Sequence, residues 1–216
     1  MRNYKEWERM GIHLQGSHSP FMWVQALNHL ERNWNPKYKI IGDVGCGEIP
    51  LQLQKAPQFS SVEDIIFSDA SVGVLEKVKE CRVSNFNKSP LPYADNEVDF
   101  AICFEVIEHM FNTYGFLREL ARISKYGFMI SKPNTDHRGL DSQWYGERYF
   151  FDTGKPLFDG DVRFEHVNFI PNYELFGFAK FMGYDVELLD KADEEIQFFL
   201  FTPKDKDKVV GINLIE

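Results

Sequence analysis

The sequence predicts an α/β chain: a mostly parallel seven-stranded sheet with an antiparallel C-terminal hairpin and an irregular insert. Three observations predict it. Short apolar runs alternate with helical periodicity through most of the chain, as parallel strands joined by crossover helices do. A segment from about 134 to 170, rich in aromatic and polar residues, breaks that rhythm. Two apolar runs separated by a polar turn follow it, in the pattern of a hairpin.

The elements follow in order. Ser19 as N-cap, Pro20 at the first helical position, and Trp23, Leu27 and Leu30 on one face mark a first helix. "KYKIIGDVG" is a strand that ends in glycines. Residues 49 to 59, bracketed by Pro50 and Pro57, are expected to be helical. "DIIFSDAS" is the second strand, and Ser71 is expected to cap a helix over "VGVLEKVKE". "CRVSNF" and "VDFAICFEV" are strands, the latter buried. "NTYGFLRELARIS" is an amphipathic helix that aligns Phe116, Leu120 and Ile123, and "YGFMISKP" is the next strand. After the insert, Leu175, Phe178, Ala179 and Met182 share a helical face and Gly183 supplies a C-cap. "YDVELL" and "IQFFLFTP" then form the edge hairpin. One domain is expected over 1–216, with an N-terminal helical region at 1–36 and a substrate-covering insert at 134–170.

The 216 residues are 44% hydrophobic, with 20 Phe, which supports a sizeable core. A net charge of -9 and a pI near 5.2 argue against broad contact with a phosphate backbone. Cys46, Cys81 and Cys103 form no CxxC pair, and their odd number argues against a disulfide scaffold. A reducing, cytoplasmic setting is therefore expected. No window has the continuity of a membrane span. His13, His18, His29, His109, His137 and His166 fall into neither HxxxH nor HExxH spacing, so no metal site is expected.

In a parallel sheet, ligands bind beyond the carboxyl ends of the strands, so the residues there carry the chemistry. Asp43, Gly45 and Gly47 end the first strand, in "IIGDVGCGEI". Glycines let the backbone turn sharply and approach a ligand closely. The third small residue of a dinucleotide fingerprint is absent, because Ile49 or Pro50 stands there. Asp43 would be a poor neighbour for a pyrophosphate and suits a cationic ligand better. A purely structural turn is the competing reading. Asp69 ends the second strand and can accept both hydroxyls of a ribose. Alternatively it caps the segment at Ser71. Phe86 and Asn87 precede the "PLPY" turn, where an amide can address an adenine edge and Phe86 can stack or simply pack. Glu105, Glu108 and His109 cluster after the fourth strand. For Glu108 a solvated loop acid is the competing reading.

Together, "GDVGCGEI", "FSDAS", "NKSPLPY", "VDFAICFEVIEHM" and "LRELARISKYGFMISKPN" resemble the class I S-adenosylmethionine-dependent methyltransferases. The resemblance is nearest to the small-molecule subgroup of ubiquinone and menaquinone biosynthesis. It covers residues 37 to 134 well and 166 to 203 more loosely. It implies a Rossmann-like methyltransferase fold, S-adenosylmethionine as cofactor, and Asp43, Gly45, Gly47, Asp69, Phe86, Asn87 and Glu105 as cofactor-binding residues. Ile49 replaces the family's third glycine and Asn87 its usual acid, although an amide keeps one acceptor oxygen.

The expected reaction is methyl transfer to a small-molecule acceptor, with oxygen ahead of nitrogen and carbon. His109 and His166 are the candidate general bases. His137, Asp141, Trp144 and Tyr145 are the candidate substrate-binding residues within the insert, whose aromatic cluster suits a small organic acceptor, a local core or a homodimer contact. A methyltransferase-like binding module without catalysis remains open, as does an RNA or protein methyltransferase. A dinucleotide-dependent oxidoreductase gives the "EVIEH" segment no natural place.

Overall fold

The computed structural model describes residues 1–12, 20–47, 52–134, 170–189 and 196–205. A seven-stranded sheet contains β1 (Ile40–Val44), β2 (Asp64–Asp69), β3 (Arg82–Val83), β4 (Phe100–Cys103), β5 (Phe128–Pro133), β6 (Tyr184–Leu188) and β7 (Ile196–Pro203). Their spatial order is β3-β2-β1-β4-β5-β7-β6. The pairs among β1 to β5 are parallel. β7 lies antiparallel between β5 and β6, so the expected hairpin extends the sheet edge. From β1 the chain steps outward to β2 and β3, then crosses back to place β4 on the other side of β1. The strand order reverses between β1 and β4, and that is where open α/β sheets receive ligands.

Successive residues of the central strands feed opposite faces. Ala101, Cys103, Phe128, Ile130, Phe199 and Phe201 pack with Phe116, Leu117 and Leu120 of α3 (Thr113–Ile123) and with Leu175 and Ala179 of α4 (Asn172–Phe181). Phe100, Ile102, Met129 and Phe198 pack on the other face. Their partners there are Trp7 of α1 (Tyr4–Arg9) and Leu27 and Leu30 of α2 (Pro20–Arg32). Burial on both faces explains why these strands read as unbroken apolar runs rather than alternating ones.

Two local results differ from the sequence reading. Residues 52–59 form two short 3-10 turns, Leu53–Lys55 and Pro57–Phe59, in place of the expected helix. Pro57 lacks the N–H that a continuous helical ladder needs. The segment after Ser71 is likewise a 3-10 stretch, Val72–Glu76, although Ser71 does cap it by accepting from the Gly73 N–H. The N-terminus carries a short helix inside the helical region expected at 1–36. Asn3 and Glu6 form a reciprocal capping box that starts α1. The Arg2 backbone exchanges two hydrogen bonds with the Asn28 amide, and its guanidinium clasps Glu31, tying α1 to α2. Among the described residues no helix is long and apolar enough to cross a membrane.

Candidate cofactor and active site

The turn after β1 is held by backbone and carboxylate bonds. Gly45 has φ +78°, and a Cβ there would sit 2.3 Å from a Val106 methyl. This position therefore requires glycine both for its dihedral and for its close approach to the segment after β4. The N–H groups of Gly45 and Cys46 both donate to the Ser68 carbonyl, at 2.8 and 3.1 Å. Gly47, at φ +60°, donates its N–H to Asp69 Oδ2 at 2.9 Å, and a Cβ at Gly47 would meet nothing within 4 Å. Among the described residues the turn thus combines a backbone locked from below with open space over Gly47.

Asp69 fulfils the capping reading of its sequence. Its Oδ1 accepts the Ser71 N–H at 2.8 Å, which makes it a local cap, while Oδ2 fixes Gly47. Each carboxylate oxygen has a second lone pair, so two further hydroxyl donors can still be accepted. Asp43 is buried at the end of β1. Burial pushes the Cys46 thiol up, and Asp43, Cys81 and Asp69 add to the shift, so both carboxylates act on the one turn. Sequence reasoning missed Ser68 and Tyr93. The Tyr93 hydroxyl lies 2.9 Å from the Ile66 carbonyl and 3.0 Å from Ser68 Oγ, which braces the strand end that holds the turn.

Phe86 is a core residue, packed against Phe116 with ring centroids 5.9 Å apart. Both ends of the Asn87 amide are engaged on backbone. Its Nδ2 donates to the His109 carbonyl at 3.1 Å, and its Oδ1 accepts the Phe111 N–H at 2.8 Å. Asn87 therefore latches the segment before "PLPY" to the segment after β4.

That second segment carries the strongest electrostatic feature of the described residues. Glu105 lies in the left-handed region at φ +56°. Its N–H donates to Ser131 Oγ at 2.8 Å, and the Ser131 hydroxyl donates to Glu105 Oε1 at 2.9 Å. Glu108 belongs to the 3-10 turn Ile107–His109 and is 2% exposed, which overturns the reading of it as a solvated loop acid. Among the described residues no other residue hydrogen-bonds its carboxylate oxygens. Burial raises its carboxyl well above the ordinary range and Glu105 raises it further, while its own backbone N–H and then Lys132 oppose the shift. Burial likewise raises Glu105, against the Ser131 bond.

His109 closes the same 3-10 turn and is half-buried. His166, His137, Asp141, Trp144 and Tyr145 lie outside the described residues. Among the described residues no group of three or more His, Cys, Asp or Glu is arranged to hold a metal ion.

A parallel sheet reversing at β1/β4, with a glycine turn and acids at the ends of its first two strands, defines the class I methyltransferase fold. Residues 42–130 match the family model of a methyltransferase domain. Solved structures share the fold at low identity. The magnesium protoporphyrin IX methyltransferase of Synechocystis PCC 6803 with bound SAH aligns at TM-score 0.54 and 13% identity, covering 93% of this chain and 94% of that one. A SAM dependent methyltransferase from Aquifex aeolicus aligns at 0.51 and 14%, covering 93% and 98%. The PH0226 protein of Pyrococcus horikoshii OT3 aligns at 0.56 and 16%, covering 88% and 93%. No curated protein matches the chain in sequence. The family match over residues 42–130, the core of the sheet, marks a methyltransferase domain there, and the solved structures share its fold.

Proposed function

We propose that this enzyme methylates a small organic acceptor, at oxygen in preference to nitrogen or carbon, and that Asp43, Gly45, Gly47 and Asp69 hold the cofactor. The observation that carries the assignment of the site is the turn at Gly45–Gly47, fixed by Val106, Ser68 and Asp69 beneath and open over Gly47. Such a cradle suits a ligand that approaches the backbone closely, and the acids beside it suit a cation with ribose hydroxyls. When bound, S-adenosylmethionine supplies an electrophilic methyl, and no covalent protein intermediate is required.

The residues of the chain then provide position and electrostatics. Asp43 favours the positively charged methionine end. The free lone pairs of Asp69 accept the ribose hydroxyls. The Phe86–Asn87 segment frames the adenine, with Asn87 acting through the backbone that it latches. Glu105 borders the methionine end, one residue from the Val106 side chain that Gly45 abuts. His109 and His166 are the candidate bases, and His137, Asp141, Trp144 and Tyr145 the candidate contacts to the acceptor. Support for a small acceptor comes from the aromatic composition of 134–170 and from the neighbour whose name specifies magnesium protoporphyrin IX.

Calorimetric titration with S-adenosylmethionine and S-adenosylhomocysteine tests the site. Both should bind the native protein, and Asp69→Ala should weaken them at least tenfold. Absence of binding to the folded native chain would overturn the assignment. Once binding is established, an acceptor screen tests the substrate class, and unchanged turnover in His109→Ala would remove that histidine from the chemistry.

A further inference from the structure

The function proposed above leaves a buried carboxylate without work. Glu108 is 2% exposed, and among the described residues no other residue hydrogen-bonds its oxygens. A carboxylate so placed is costly as an anion unless a cation joins it, and otherwise it holds a proton. Its place in the fold is informative. Val106, whose side chain abuts Gly45, lies between Glu105 and Glu108 in the sequence, so the segment that carries both acids packs beside the glycine turn. Glu105 is held there by a reciprocal pair of bonds with Ser131, in a left-handed conformation that a non-glycine residue adopts at a cost.

We infer that Glu105 and Glu108 form a charge-sensing pair that keeps a proton in the empty and S-adenosylhomocysteine-bound protein and releases it to solvent when the sulfonium form binds. The two forms of the cofactor differ by one methyl group and one positive charge. A neighbouring carboxylate pair distinguishes them through that charge, because a nearby cation favours ionisation and a neutral thioether does not. This inference rests on the cofactor site proposed above.

The groups around Glu108 are consistent with one labile proton. Asp43 on β1 and Glu105 carry charge of the same sign. Lys132 on β5 carries the opposite charge, and its ammonium lies 3.2 Å from the Pro133 carbonyl and 3.5 Å from Gln197 Oε1 on β7. Cys103 on β4 is held neutral by burial, with Glu108 and Asp43 adding to the effect. His109 sits beside Glu108 in the same turn. Burial, and then Glu105, push the Glu108 carboxyl above the ordinary carboxylate range.

The test is calorimetric titration of the full chain with each cofactor form in buffers of different ionisation enthalpy, which counts the protons exchanged. S-adenosylmethionine should release roughly one proton more than S-adenosylhomocysteine. That excess should disappear in Glu108→Gln, and the comparison with this variant subtracts any contribution from the ligand's own amino group. The affinity ratio of the two forms should favour the sulfonium increasingly as pH rises, by up to about tenfold per unit, and become flat in the variant. Infrared difference spectra of the native protein provide a check that needs no mutant. A protonated-carboxyl band should be lost on binding the sulfonium form and kept on binding the thioether. Equal proton counts with both ligands bound, or an excess that survives in Glu108→Gln, overturn the inference while leaving the cofactor site intact. Failure of both ligands to bind overturns the site itself.

Discussion

Single residues in the turn have separable roles, because the two glycines face different surroundings. Gly45→Ala combines a left-handed backbone with a clash against Val106, and is expected to cost about 2–4 kcal/mol in urea unfolding. Gly47→Ala meets open space and should cost about 1 kcal/mol, from its dihedral alone. Equal losses at the two positions would show that Val106 does not crowd Gly45. Asn87 makes a sharper case. Asp there would restore the family's acid but remove the donor to the His109 carbonyl, leaving two acceptors facing each other. Asn87→Asp should therefore destabilise the protein by about 1–2 kcal/mol, measured by thermal and urea denaturation. A neutral or stabilising effect would mean that the latch contributes little.

At the scale of elements, α3 shows how a cap can reverse an ordinary propensity argument. Asn112 starts the helix by accepting the Gly115 N–H at 2.9 Å. Asn112→Ala should cost about 1 kcal/mol. Gly to Ala inside a helix normally stabilises by roughly 0.5–1 kcal/mol. A Cβ on Gly115, however, would lie 2.5 Å from Asn112 Nδ2 and displace the cap. Gly115→Ala is thus expected to gain nothing in the native background and to stabilise in the Asn112→Ala background, as a double-mutant cycle would show. The 3-10 turns before β2 carry a related lesson. The sequence predicts a helix over residues 49 to 59, but Pro57, which has no N–H to donate, limits the ladder to short 3-10 turns.

For the whole molecule, two buried acids give stability opposite dependences on pH. Asp99 is buried, which raises its pKa. The N–H groups of Ile40 and Lys39 and the ammonium of Lys125 outweigh that and hold it below its ordinary 3.8. Its contribution is present above that ordinary value and is lost as pH falls through the depressed one. Glu108 is raised, so the fold binds its proton more tightly than the unfolded chain does. Its contribution is present below the ordinary 4.5 and is lost as pH rises towards the raised value. Glu108→Gln should accordingly raise the Tm more at pH 8 than at pH 5, and Asp99→Asn should lower it chiefly above pH 4. A Glu108→Gln effect that is the same at both pH values would contradict the burial of an uncompensated carboxyl.

What the sequence determined by itself was the order and type of the main elements and the location of the strand-end residues. Asp43, Gly45, Gly47 and Asp69 were legible because turn chemistry is local and leaves a fixed signature after an apolar run. The alternation of strands and crossover helices was legible for the same reason, since a parallel sheet buried on both faces produces continuous apolar segments. Only the tertiary structure decided what faces what. It placed Val106 against Gly45, turned the Asn87 amide onto the backbone of another segment, and buried Glu108 with no hydrogen bond from another described residue. Those relations join residues that sit far apart along the chain or, for Glu108, depend on which way one short turn packs against β5. No local pattern encodes them, because the burial and the hydrogen-bond partners that define each residue's chemistry exist only once the sheet has closed around it.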